Sequence, residues 1–217
     1  AYLALPQEVI ITPMRDQQRY FPVAKENGEL LNAFLAVRNG TAENIEVVAR
    51  GNERVLLARL EDARFYYQKD REKPLRERVE DLKEIVYHEK LGSLWEKTKR
   101  LEKLVVWLGG QLSASPEALA AANRAAALSK ADLTTSMVGE FTELQGIMGR
   151  EYALASGESE DVALAIAEQY LPRFASDRLP QTVPGRLLAL ADKVDAVVGC
   201  FRVGLIPTGS EDPYALR

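Results

Sequence analysis

With 217 residues, 47% of them hydrophobic, the chain is long enough to bury a core as one large domain or two modest ones. Its formal charge of -4, from 32 acidic and 28 basic side chains, argues against a dedicated nucleic-acid coat and leaves room for a local basic face. A lone cysteine, Cys200, excludes a disulfide framework and points to a reducing, cytoplasmic setting; no run reaches the roughly 20 apolar residues that span a bilayer.

The first fifty residues alternate β-rich runs with turn signals. EVIITPM and RYFPVA read as strands, KENGEL as a hairpin connection through Asn27-Gly28, and LNAFLAVRNG as a further strand closing on Asn39-Gly40. Pro13 and Pro22 each lack a ladder donor and keep those strands at an edge. From Asn52 the period changes to 3.6, with Val55, Leu56, Ala58, Leu60, Ala63 and Phe65 set among Arg and Glu, which predicts an amphipathic helix.

Beyond Pro74 the pattern is helical over roughly 75–84, 93–109, 117–130, 140–155, 159–171 and 184–200. Ser115-Pro116 and Thr182 to Pro184 read as helix starts, because a short polar side chain accepts from free amides and proline is harmless in a first turn. The expected fold is α+β: a short strand-rich region over 1–75 that ends on a basic helix, then a mainly α-helical domain over 76–217. The strand-like opening and the abrupt end at Arg217 suggest a piece of a longer chain.

Few motifs carry chemistry. His88 is the only histidine, so histidine-pair metal sites are impossible and a structural role is the simpler reading. There is no GxxxxGK[ST], GxGxxG or nucleophile elbow, so no catalytic residue is assigned. Asp132, Asp192 and Asp195 stand in apolar stretches and require a partner, either a helix amide, a lysine such as Lys130 or Lys193, or a metal. Gly139, Gly146 and Gly149 in MVGEFTELQGIMGREYAL suggest close helix packing or a surface opposed to a ligand. Basic and aromatic residues gather twice: Arg50, Arg54, Arg59 and Arg64 with Phe65, Tyr66, Tyr67, Lys69 and Arg71, then Lys90, Trp95, Lys97, Lys99, Arg100 and Lys103. Such groups suit RNA phosphates and unstacked bases; the acids among them suit plain helical salt links equally well.

Long ordered blocks carry a resemblance. QEVIITPMRDQQRYFPV, NERVLLARLEDARFYYQKD, HEKLGSLWEKTKRLEKL, KADLTTSMVGEFTELQGIMGREYAL, LADKVDAVVGCF and PTGSEDPYALR together resemble the beta subunit of bacterial-type tetrameric glycine–tRNA ligases, across essentially the whole chain. That resemblance implies an internal portion of a subunit concerned with tRNA, in an assembly of two alpha and two beta chains. The alpha subunit would carry the ATP- and Mg-dependent adenylate chemistry, with no cofactor or membrane contact in this portion.

The resemblance also implies an HD-like helical domain after about residue 80. Working members of that fold bind metal through His, His-Asp and Asp and hydrolyse phosphate esters. The corresponding positions here are Lys97, Ala131, Asp132 and Asp192, and only the two aspartates match. An ammonium and a methyl group cannot replace two imidazole ligands, so no metal is expected, and the pocket is expected to have become an RNA contact or packed core. Candidate tRNA contacts are Arg54, Arg59, Arg64, Lys69, Lys97, Lys99, Arg100 and Lys130. The competing readings are an HD-type phosphohydrolase, which needs more histidines than one, and a structural spacer.

Overall fold

The computed structural model describes residues 2–207. In chain order these form α1 (Gln7–Thr12), β1 (Tyr20–Ala24), β2 (Leu30–Ala36), α2 (Ile45–Asp70), β3 (Val86–His88), β4 (Gly92–Ser93), α3 (Leu94–Gln111), α4 (Pro116–Leu128), α5 (Ser136–Glu140), α6 (Ile147–Ala155), α7 (Glu160–Glu168) and α8 (Val183–Arg202). The fold is therefore α+β, with two small antiparallel hairpins and a helical remainder. Its contacts separate into two compact units. One holds the residues up to Glu72 together with Thr135–Leu144; the other holds Lys73–Thr134 and the residues from Gln145 onward.

In the first unit β1 and β2 pair as the hairpin expected from Asn27-Gly28, with Phe21 opposite Leu35 and Pro22 opposite Phe34. Pro22 is tolerated because both strands of a two-stranded sheet are edges. EVIITPM, expected as a strand, is instead α1 followed by a π-helical turn over Pro13–Gln17. Packing overrides the β-branched composition: a helical turn brings Ile10 and Met14 onto one face, where they bury against Leu56 and Leu60 of α2. Pro13 has no N–H of its own, and its carbonyl accepts from Gln18 at 3.1 Å, the wider π-type closure.

α2 begins at Ile45, about two turns before the predicted start at Asn52. Its first residues are exposed, so they carry no apolar stripe from which a period can be read. At its far end the buried Asp70 carboxylate accepts the amides of Ser136 at 3.0 Å and Met137 at 2.8 Å. That contact joins the short stretch 135–144 to the first unit, although the sequence pattern places it within the helical run.

The second unit stacks α3, α4, α7 and α8 on one another, with α6 against α7. The helix expected over 75–84 is a pair of 3₁₀ turns, Leu75–Arg78 and Glu80–Lys83, and the one expected over 140–155 is interrupted before α6 at Gly146, whose φ is +78°. The predicted starts hold: Ser115 accepts from Ala118 N, and Thr182 accepts from Gly185 N. The final block of the resemblance, PTGSEDPYALR, lies outside the described residues from Thr208 onward.

Candidate functional site

The acids and bases singled out in the second unit converge on one buried cluster. α3 is started by a capping box, in which Ser93 accepts from Glu96 N and Glu96 reaches back to Ser93 N, so Lys97 and Arg100 fall one turn apart on the same face. α8 is started by Thr182 over the buried carboxylate of Glu168, which accepts from Gln181 N at 2.8 Å and from the Thr182 hydroxyl at 2.6 Å. Gly185 fits there because any Cβ would run into Glu168. This start sets Asp192 and Asp195 one turn apart, facing α3.

Lys97 Nζ lies 2.9 Å from Asp192 Oδ1 and 2.9 Å from Asp195 Oδ2. Arg100 Nε donates to Asp195 Oδ1 at 2.6 Å, and Lys130 Nζ donates to Asp192 Oδ2 at 2.9 Å. Lys97 is 3% and Lys130 4% exposed. The Lys130 ammonium also lies 4.4 Å from the centre of the Tyr170 ring, and that of Lys97 lies 4.6 Å from the Tyr87 ring. Burial alone would raise the Asp192 carboxyl, but Lys130 and Lys97 hold it at about 2.

Asp132 is fully buried and accepts the Gly146 amide at 2.6 Å. It therefore caps α6, not the stretch that follows it in sequence. Burial pushes its carboxyl up to about 6, against the lowering pull of the Gly146 amide and the Lys130 ammonium. Burial also pushes the Tyr170 hydroxyl well above its usual range, with Asp132 and Asp192 adding to the shift. Close packing accounts for two of the three glycines: a Cβ on Gly146 would meet Tyr170, and one on Gly149 would meet Ile166. Gly139 faces open space.

Three cations, Lys97, Arg100 and Lys130, thus answer two carboxylates, Asp192 and Asp195, while Asp132 is met by the Gly146 amide. The metal that an HD fold implies does not fit these residues. Ala131 offers no ligand atom, Lys97 fills the space between Asp192 and Asp195, and Asp132 is committed to a helix amide. Among the described residues no group of three His, Cys, Asp or Glu is placed to hold a metal ion. Neither Lys97 nor Lys130 is offered to a phosphate, because burial and ion pairing occupy both. His88 accepts the Lys90 amide through Nδ1 in the β3–β4 turn.

The other candidate cations divide by exposure. On α2, Arg54 and Lys69 are exposed, Lys69 lying 5.9 Å from the Phe65 ring centre. Arg59 faces Glu140 at 3.6 Å, and Arg64 pairs with Glu61 at 2.5 Å beside the Tyr2 ring. On α3, Lys99 pairs with Glu102 at 2.7 Å beside Trp95, and Arg100 is held by Asp195 and the Leu91 carbonyl. Sequence reasoning passed over Glu168, Asp70 and Tyr170; the signal for the first two was an acid at the end of an apolar helical pattern.

The whole of residues 1–217 matches the family model described as glycyl-tRNA synthetase beta subunit. The chain belongs to that family. It is 56% identical to the glycine–tRNA ligase beta subunit of Moorella thermoacetica and 55% identical to that of Shouchella clausii, covering 100% of this chain and 31% of each relative. The corresponding protein of Halothermothrix orenii is 54% identical, with 32% of its length covered. The chain therefore spans about a third of the length of these curated relatives. No helix among the described residues is long and apolar enough to cross a membrane.

Proposed function

We propose that this chain is a noncatalytic portion of a glycine–tRNA ligase beta subunit, serving the attachment of glycine to its tRNA by helping to hold RNA and neighbouring domains in place. The observation that carries this reading is the closed ion cluster. A pocket in which Lys97, Lys130 and Arg100 neutralise Asp192 and Asp195, and a helix amide holds Asp132, offers no hydrolytic metal and no free base to a substrate. Bond making then belongs to a companion alpha subunit using ATP and Mg, in a cytoplasmic assembly of two alpha and two beta chains.

The RNA-facing role rests on α2. Its exposed Arg54 and Lys69, with Phe65 58% exposed beside the latter, are the groups best suited to phosphate and shape readout. The test is the Arg54→Glu/Lys69→Glu variant of the full-length subunit in the assembled ligase. We expect the apparent KM for tRNA to rise about tenfold and to become less salt-sensitive, with glycine-dependent ATP–pyrophosphate exchange unchanged. An unchanged KM would instead support a purely structural spacer.

A further inference from the structure

The outer face of α8 carries an apolar stripe that stays open among the described residues. Leu190, Val194, Val197, Val198 and Phe201 are between 38% and 59% exposed, and at helical spacing they fall within a face about 100° wide. That is the width a helix ordinarily turns toward a packing neighbour. On one side the stripe descends into an open groove of about 540 Å³, where Val194 and Val198 meet Leu91 and Leu104.

The rim of this groove is positive. Lys90, Lys103 and Arg202 line it and make no ion pair among the described residues, whereas the one acid at its edge, Asp195, is already answered by Lys97 and Arg100. We propose that the groove docks an acidic amphipathic helix of a protein partner outside this chain. The floor of the groove is aliphatic, and Phe201 at the end of the stripe is the one ring on this face, too few for a run of stacked bases, which disfavours RNA. A helix laid into it would anchor apolar side chains at i, i+3 or i+4, and i+7, and place acids against the three rim cations. The eleven-residue rise from Leu190 to Phe201 is about 16 Å, room for a helix of three turns. A charged rim around an apolar floor speeds encounter between separately folded molecules, a service that cover from the same chain does not require.

The experiment places a photoreactive phenylalanine analogue at position 198 of the full-length subunit within the assembled ligase and maps the crosslinked product by mass spectrometry. The expected product is a partner peptide in which Asp or Glu flank apolar residues at helical spacing. Lys103→Glu/Arg202→Glu should lower its yield about tenfold or more, and Lys103→Arg should retain it. A crosslink to tRNA, to the same chain or to a second copy of it, an unchanged yield in the charge-reversed variant, or no crosslink at all overturns the proposal. These positions lie on α3 and α8, apart from the α2 residues that test RNA binding, so either proposal can fail without the other.

Discussion

Lys97 and Asp195, ninety-eight residues apart in sequence, meet at 2.9 Å inside the second unit, and the same ammonium lies 2.9 Å from Asp192. α3 and α8 are thereby tied to one another through buried ion pairs. A side-chain cation held by the chain itself takes up the carboxylate charge.

Removing that cation is the first prediction. Lys97→Met leaves both oxygens of Asp195 to Arg100, but leaves Asp192 to Lys130 alone, with its Oδ1 unanswered in a buried setting. Breaking one partner of a buried ion pair costs about 3–5 kcal/mol, which should appear as a lower urea midpoint with the slope unchanged. A loss below about 1 kcal/mol would mean that the cluster contributes little to stability.

The second prediction concerns pH. Asp132 is raised from 3.8 to about 6 in the fold, so between those values the folded chain holds a proton that the unfolded chain has released. Stability through this group therefore falls as pH rises from about 4 to 6, by at most about 3 kcal/mol, and the penalty is complete at pH 7. Asp192 runs the other way: held at about 2, it stabilises above its unfolded value and loses that contribution only as pH falls from about 4 through 2. Thermal unfolding should thus give a higher Tm at pH 5 than at pH 7. Asp132→Asn keeps an acceptor for the Gly146 amide and should flatten that difference; Asp192→Asn should leave it in place.

Metal addition supplies the third. Titrating Mn2+ or Zn2+ into the protein should give neither stoichiometric heat nor a rise in Tm, since Lys97 and Lys130 already engage Asp192. Tight binding lost in both Asp132→Asn and Asp192→Asn would contradict the closed-cluster reading.

How far these features could be read from the sequence follows from what each depends on. The starts at Ser115 and Thr182 are local chemistry and were legible, as was the Asn27-Gly28 hairpin. α1 was not, because its helical state is decided by Ile10 and Met14 finding Leu56 and Leu60 some fifty residues away. Asp132, Asp192 and Asp195 announced themselves as acids in apolar runs, but which cation meets which acid is a property of the α3–α8 and α4–α8 packing. Lys97 and Lys130, expected as candidate tRNA contacts with Lys130 also offered as a partner for a buried acid, could not be assigned to one role for the same reason: a lysine in a sequence does not reveal whether its helix face turns inward.

Asp70 yields a fourth prediction within the first unit. Its carboxylate receives the Ser136 and Met137 amides and so satisfies donors at the start of α5. Asp70→Ala leaves those amides unmet and should loosen 135–144. Limited proteolysis should then cut within that stretch well before the rest of the chain, at a stability loss of about 1–3 kcal/mol. An unchanged cleavage pattern would show that the buried Phe141 and Leu144 hold the segment without the carboxylate.

The last prediction compares two glycines of positive φ, one closely packed and one open. Gly146 and Gly157 have φ of +78° and +84°, on the side of the map that a side chain enters at about 1–2 kcal/mol even in its left-handed helical basin, and Gly146, with ψ of -41°, lies outside that basin. Gly157 ends α6, its amide bonded to Leu154 O and that of Glu158 to Ala153 O, and a Cβ added there meets nothing within 4 Å. At Gly146 the same Cβ would stand 2.5 Å from the Tyr170 ring, whose centre lies 4.4 Å from the Lys130 ammonium, and a shift of the backbone would weaken the 2.6 Å bond from its amide to Asp132. Gly157→Ala should therefore cost only the backbone term, whereas Gly146→Ala should cost at least about 2 kcal/mol more through overpacking, the disturbed Asp132 bond and a less favourable backbone. Denaturant unfolding of the two variants compares them directly. Equal losses would mean that Tyr170 yields to the methyl group and that the ring is not fixed by the ion cluster beside it.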